Sequence, residues 1–440
     1  MTILITNATL LPCTPDMPVV ENGYVHIEGD TIKAAGAGPP PAVDGAEIVD
    51  AGGDVVMPGM VNPHCHMAMT LFRGLGEDVD DRLFRYVLPM ERKFVTPKMV
   101  EAGTRLAALE LIEAGVTTVA DMYYYETEVG RVVDEAGFRG VVGQTIADFD
   151  PPDHATIDAG FALTEELVAE FSGHDRVIAS IAPHAPYSTD IAVMNRVARW
   201  ADDHPDVPVQ IHLAEMTSEM EWCEKHYQMT PVEMVEKAGL LRKGLICAHC
   251  LYLNGSDIEK MAAAKVCVAH NARSNAKAGR GIAPVEALRA AGIPVGVATD
   301  GPMSGNTLDL FSQFGPVSMF QKLLGKSRKP MPAREVIRMA TLEGARVLGL
   351  DAKIGSLEPG KKADLIRIDL SAPRTQPVYD IYATLVFAAM AVDVRDTMVA
   401  GRWLMRGRNV LTVERKKALR DALQVATAFK AEMARIDSQA

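Results

Sequence analysis

From residue 57 to about residue 350, compact apolar runs alternate with longer stretches whose apolar positions recur at helical spacing. That rhythm predicts a parallel sheet with crossover helices. Eight runs read as strands: 57–66, 117–121, 140–145, 177–184, 207–212, 245–249, 266–270 and 294–300. Eight parallel strands with intervening helices close into a (β/α)₈ TIM barrel, an α/β fold. Helices are expected over 98–114 and over 283–291, where Pro284 falls near the first turn and is tolerated.

The two ends of the chain follow another pattern. Before residue 57 the apolar positions are short and β-like, at Ile3 and Ile5, Tyr24-Val-His-Ile and Thr31-Ile-Lys, with turns at Glu21-Asn-Gly and Glu28-Gly-Asp. A Gly- and Pro-rich stretch over 35–43 reads as a surface connection. Beyond the barrel, β character returns at Lys361-Lys-Ala-Asp-Leu-Ile-Arg-Ile and over 394–405. Neither end is large enough to stand alone. Segments 1–56 and 351–411 are therefore expected to form one small β-sandwich beside a barrel over 57–350. The last segment, 412–440, predicts a helix with Leu419, Leu423, Ala426, Phe429 and Met433 at three- and four-residue steps, a stripe that would pack on the body.

Composition narrows the function classes. With 48% hydrophobic and 23% charged residues in 440, the chain is an ordinary globular protein and not a disordered one. Forty-five basic against 57 acidic residues give a formal charge of -12, which repels phosphate backbones and anionic lipid, so no nucleic acid or membrane partner is expected. Six cysteines in a chain this long are no disulfide framework, and Met1-Thr-Ile-Leu-Ile-Thr lacks the basic start of a signal peptide. The most apolar late stretch, 381–392, falls short of the ~20 residues that a membrane helix needs. A cytoplasmic protein with reduced thiols is the expectation.

Candidate chemistry sits at strand ends, which in this barrel converge on one mouth. The first strand ends His64-Cys-His66, and alternation points both imidazoles the same way, with Cys65 opposite. The fifth ends His212-Leu-Ala-Glu215, a third imidazole with a carboxylate beyond it. On the eighth, Gly296, Ala298 and Asp300 share a face, leaving room for a carboxylate ligand. His184, His249 and His270 end three more strands. Cys247 and Cys250 have a zinc-like spacing, but an odd separation on a strand puts them on opposite faces and argues against a second metal site. The H-x-E with P-C-x-x-C signature of the base-flipping zinc deaminases is absent.

Pro63-His64-Cys-His66, Leu71-Phe-Arg-Gly74, Thr117-Thr-Val-Ala-Asp121-Met, His184-Ala-Pro-Tyr, His212-Leu-Ala-Glu215, His270-Asn-Ala-Arg-Ser-Asn275, Thr299-Asp300-Gly and Gly355-Ser-Leu-Glu-Pro-Gly-Lys-Lys-Ala-Asp364 occur in that order. Together they resemble the amidohydrolase superfamily, and within it the branch of methylthioadenosine/S-adenosylhomocysteine deaminases and triazine hydrolases. The resemblance implies one divalent metal, zinc or alternatively iron, on His64, His66, His212 and Asp300. It implies proton transfer by Glu215 and Asp300, and a water-holding role for His249. His184 matches a histidine that bonds the heterocycle, and Glu91 a glutamate on ribose hydroxyls, where it would otherwise be a surface helix carboxylate. Two-metal members bridge their ions with a lysine on the fourth strand, and no lysine occurs between Phe171 and Asp190. Two departures stand out. His270-Asn-Ala replaces the usual His-Asn-Pro, and Gly143-Gln-Thr-Ile lacks an arginine for an amino-acid carboxylate, so S-adenosylhomocysteine is disfavoured. The ring could stack on Tyr123-Tyr-Tyr125, which could equally be packing residues, and Arg73 could equally be a surface or interface charge.

The implied reaction is hydrolytic removal of an exocyclic amino group from a small-molecule nitrogen heterocycle: an adenine nucleoside, purine, pterin or pyrimidine. A bound metal lowers the pKa of its water toward about 7. Asp300 would accept the water proton, and a protonated Glu215 would donate to the ring nitrogen. Two rivals are a dechlorinase or aminohydrolase of s-triazine-like rings, whose members typically lack the glutamate at position 215, and a non-catalytic assembly protein of the same fold, which would have lost metal ligands. A homo-oligomer is the expected assembly.

Overall fold

The computed structural model describes residues 1–79 and 81–438. The N-terminal strands are β1 (Thr2–Leu10), β2 (Val20–Glu28), β3 (Thr31–Gly36), β4 (Glu47–Asp50) and β5 (Val55–Pro58). The expected strand over 57–66 is in fact two, because the chain breaks at Gly59. There the amide bonds to Asp364 O at 3.0 Å, and the next, Met60, to Gly115 O at 3.1 Å. A Cβ at residue 59 would lie 2.2 Å from the Thr117 side chain, so only glycine lets the strand change sheets here.

The barrel follows as β6 (Met60–Cys65), β7 (Val116–Tyr123), β8 (Arg139–Ile146), β9 (Val177–Pro183), β10 (Gln210–Leu213), β11 (Ile246–His249), β12 (Cys267–His270) and β13 (Val295–Val297). All neighbours are parallel, within β6 to β9 and within β10 to β13. One seam between the halves closes through an Ile181–Val209 bridge and His212 N to His184 O at 3.0 Å. The other closes through Asp300 N to His64 O at 3.2 Å and an amide–hydroxyl lock, Asn62 Nδ2 to Thr299 Oγ1 at 2.8 Å. Every residue of β7 and β8 is buried, as expected of parallel strands covered on both faces. Helices cover the outside, among them Pro97–Glu113, whose start is capped by Thr96 accepting from Met99 N.

After the barrel, β14 (Leu365–Ile368), β15 (Val394–Val399), β16 (Arg402–Arg406) and β17 (Asn409–Val410) return to the N-terminal strands. β14 pairs antiparallel with β5, so both termini build one nine-stranded sheet. The sheet curls until Thr31 at the start of β3 bridges Lys362 just before β14. Ile3, Ile5, Val25, Ile27, Leu365 and Met398 form the apolar layer inside that curl.

The final helix, Arg415–Asp437, packs on the body by only part of the expected stripe, Phe429 with Met433 against the core, joined by Ala418 and Ala422. Ala418, Ala422 and Phe429 are buried, while Leu419 and Leu423 are 42% and 66% exposed. Phe429 sets this rotation, with its ring 4.9 Å from Phe72 and 5.0 Å from Phe94. The last two residues of the expected 412–440 segment lie outside the described residues. No helix among the described residues is long and apolar enough to cross a membrane.

Candidate metal and proton-transfer site

The site begins with how β6 ends. Asp121 on the neighbouring β7 accepts from Cys65 Sγ at 3.2 Å and from Met67 N at 2.5 Å, which brackets His66 from both sides. His66 Nδ1 meets Met122 O at 2.5 Å, so this nitrogen carries the hydrogen and Nε2 is left to face the barrel axis. His212 is fixed the same way, with Nδ1 on His184 O at 2.9 Å. Four non-glycine residues at or just beyond strand ends adopt left-handed backbone: Ala214 at φ 52°, His249 at 74°, Cys250 at 52° and Asp300 at 60°. Each costs ~1–3 kcal/mol and turns the chain inward where a strand would have continued.

His64, His66, His212, His249, Glu215 and Asp300 consequently meet in one spot. His66 Nε2 lies 3.3 Å from His212 Nε2 and 3.3 Å from Asp300 Oδ1, and His64 Nε2 lies 3.8 Å from the same oxygen. Donors held ~2.1 Å from a tetrahedral ion would be about 3.4 Å apart, so these spacings fit a metal. His64 Nε2 is buried with no hydrogen-bond partner, an orphan that an ion would satisfy. Burial, then the neighbouring imidazoles, hold His64 well below the usual histidine range and His212 down at about 4, which keeps both in the neutral, metal-binding form. Burial works against ionisation of Asp300, but the hydrogen bond from His66 and the charge of His249 hold it well below the usual carboxylate range. The same contact raises His66 against burial to about 9, so without an ion its Nε2 also carries a proton, which a metal would displace.

The motif His270-Asn-Ala-Arg-Ser-Asn275 has a structural explanation here. Asn275 Oδ1 lies 2.9 Å from His249 Nδ1 and fixes the ring, while Ser274 Oγ donates to Asp300 Oδ2 at 2.5 Å. His249 Nε2 then faces Glu215 Oε1 at 3.5 Å. Glu215 also accepts from Arg280 Nη1. Burial works against ionisation of Glu215, but His249 and Arg280 together hold its pKa below the usual glutamate range, so before substrate binds it is a carboxylate able to take up a proton. Behind it, Glu219 caps the turn by accepting from Ala214 N at 2.9 Å and Glu215 N at 2.8 Å.

Glu91 is buried in the helix Leu88–Phe94 and accepts from Tyr123 OH at 2.7 Å, so it is no surface carboxylate. Burial raises its pKa to about 7. His184 stands 4.9 Å from His212, ring to ring, with Nδ1 2.7 Å from Ser188 Oγ. Tyr123 lies beside His66, whereas Tyr125 turns away to donate to Pro152 O at 3.0 Å. His270 is buried at the end of β12, and its ring nitrogens bond none of the described residues. Arg73 pairs with Glu110, away from the cluster. The alternation argument for Cys247 and Cys250 fails, because His249 and Cys250 are both left-handed and the two thiols meet. Asp121, Ser274 and Asn275 were visible as motif letters without a role, and Arg280 carried no sequence signal because its partner is 65 residues away.

The model of the amidohydrolase family matches residues 55–404. A 5-methylthioadenosine/S-adenosylhomocysteine deaminase of Syntrophobacter fumaroxidans is 37% identical over 432 residues, covering 97% of this chain and 98% of the relative. One of Desulfitobacterium hafniense is 38% identical over 427 residues, covering 96% and 97%. Among solved structures, an adenosine deaminase from Xanthomonas campestris with bound zinc superposes with a TM-score of 0.93 at 32% identity, covering 98% of each chain. A triazine hydrolase superposes with a TM-score of 0.90 at 21% identity, covering 97% and 99%, which is a likeness of fold.

Proposed function

Because the chain belongs to the amidohydrolase family, we propose that it is a metal-dependent hydrolase of C–N bonds that deaminates an adenine nucleoside. The observation that carries this is Glu215, held 3.5 Å from His249 at the edge of the donor cluster. An amino group must be protonated to leave and chloride need not be, so a positioned proton carrier favours ammonia release over dechlorination. Four intact donors around one spot weigh against a non-catalytic assembly role.

His64, His66, His212 and Asp300 would hold the metal, and three imidazoles with one carboxylate suit zinc, with iron as the alternative. When bound, that metal activates a water for attack. His249, oriented by Asn275, fixes the water's position. Glu215 enters as a carboxylate, takes one proton of that water and passes it to the ring nitrogen beside the carbon under attack. Asp300 takes the second proton and delivers it to the amino group, which departs as ammonia and leaves a ring carbonyl. His184 would bond the ring, and buried Glu91 would accept from the ribose hydroxyls.

Substrate choice follows from the third strand. Gln144 on β8, where an arginine would meet an amino-acid carboxylate, is engaged by Asp153 Oδ2 at 2.9 Å and Thr145 O at 3.2 Å. That favours 5′-methylthioadenosine or adenosine over S-adenosylhomocysteine. A cytoplasmic setting agrees with six free, buried cysteines. A homo-oligomer agrees with the exposed Met319, Leu323 and Leu324 on the helix Phe311–Leu324.

The test is ammonia release from methylthioadenosine, adenosine, S-adenosylhomocysteine and a chlorotriazine. Release from the first two is expected, and Glu215→Gln should lower kcat by at least ~100-fold with the metal retained. Chloride from the triazine without ammonia from any nucleoside, or full turnover by the Gln variant, would overturn the proposal.

A further inference from the structure

Arg280 belongs to no part of the reaction described so far, yet its guanidinium is bonded to the proton carrier. Nη1 donates to Glu215 Oε1, the same oxygen that faces His249. The remaining guanidinium N–H groups have no partner among the described residues. The backbone that carries this side chain is well anchored. Arg280 N donates to Asn275 O at 3.0 Å, and its carbonyl accepts from Tyr252 OH at 2.5 Å. Asn275 is also the residue that orients His249, so a single short segment sets both His249 and the guanidinium. On either side lie Gly279 at φ 66° and Gly281 at φ 122°, conformations that a side chain would strain. The two glycines let the loop fold back over the mouth and aim Arg280 at the end of β10.

A glutamate two residues beyond a strand end has three side-chain torsions to settle, and burial favours its neutral form. His249 contacts it from below at 3.5 Å, too long for a firm hydrogen bond. The guanidinium supplies the one charge-assisted bond made to the carboxylate by a side chain among the described residues.

We propose that Arg280 is a positioning residue for Glu215: its guanidinium fixes the carboxylate in the rotamer that reaches both the water site and the ring nitrogen. The assignment rests on Glu215 as the proton carrier. Its consequence is a kinetic split, because ground-state binding of the nucleoside by Glu91 and His184 does not pass through Arg280.

The experiment compares wild-type protein with R280A, R280K and R280Q on methylthioadenosine and adenosine, with metal content and binding of the non-reacting inosine product measured alongside. Expected for R280A is a kcat lowered about 10- to 100-fold with KM within about threefold, unchanged metal content and unchanged inosine affinity. R280K should recover part of the loss, and millimolar guanidinium ion should restore R280A but not wild type. A kcat for R280A within about twofold of wild type would overturn the assignment. So would a loss carried by KM and inosine affinity, which would make Arg280 a substrate-binding group, or loss of metal without rescue, which would make it structural. If wild type itself releases no ammonia, the deaminase proposal falls and the Arg280 assignment falls with it, an outcome distinct from an active wild type with an equally active R280A.

Discussion

The two ends of the same barrel hold their buried polar groups in opposite ways. At the mouth, four residues at or just beyond strand ends sit in left-handed backbone, and His64 Nε2 has no partner among the described residues. At the rim where β8 starts, Arg139 is just as buried, but every strong donor finds an acceptor: Nε on Asp364 Oδ2 at 2.5 Å, Nη2 on Asp364 Oδ1 at 3.2 Å and Nη1 on Asp175 O at 3.0 Å. Asp364 also accepts from Ala400 N at 2.7 Å, and its carbonyl takes the Gly59 amide. The rim is a closed polar network that ties the terminal sheet to the barrel. The mouth is an open one, whose last partner has to come from outside the chain.

The largest effect expected from this contrast is on stability, at the rim. Asp364→Ala leaves Arg139 buried and uncompensated, which costs about 3–5 kcal/mol. Thermal unfolding should shift down accordingly, while kcat measured well below the transition stays at the wild-type value. A double variant, Arg139→Met with Asp364→Leu, should recover much of the loss, because an apolar pair asks for no partner. A D364A protein with wild-type thermal stability, or one stable but inactive, would break the division between the two ends.

At the mouth the expected loss is metal affinity. Asp121 touches no ligand atom, yet it holds the chain on both sides of His66 through Cys65 Sγ and Met67 N. Asp121→Asn keeps the shape and one acceptor, but it weakens both bonds by removing the charge. Zinc should dissociate to a chelator about 10- to 100-fold more readily. Equal metal retention by D121N and wild type would show that His66 is held by Met122 O alone.

How much of this was legible in the sequence depended on whether a residue's neighbours were also close along the chain. The strand ends could be read because alternation and barrel convergence act locally, so His64, His66, His212, Glu215, His249 and Asp300 were placed together without coordinates. Alternation failed wherever backbone left the β region. It joined 57–66 across Gly59, and it separated Cys247 from Cys250, which the left-handed His249 and Cys250 bring into contact. The Arg280–Glu215 contact was not legible, because Arg280 lies in a loop with no periodicity and only the fold brings it near. Asp364 closes the motif Gly355-Ser-Leu-Glu-Pro-Gly-Lys-Lys-Ala-Asp364, but its partner Arg139 is 225 residues away.

The smallest expected effect is that of Leu423→Gln on the final helix, where spacing found only part of the buried face. Leu419 and Leu423 repeat at helical steps with Phe429 and Met433, yet at about 100° per residue Leu423 lies about 120° around the helix from Phe429, while Ala418 and Ala422 lie within about 20° of it. Phe429, seated between Phe72 and Phe94, fixes the rotation, and the small Ala418 and Ala422 are buried on the same face of a helix that packs on Pro97–Glu113. Leu423 therefore faces solvent, and Leu423→Gln should change stability by no more than ~0.5 kcal/mol. Phe429→Ala, two turns further on, removes a buried ring and should cost about 3–5 kcal/mol. Chemical denaturation of the two variants side by side decides between the faces. Comparable losses from both would mean that Leu423 is covered in solution, and the surface that covers it would then be a second copy of this chain.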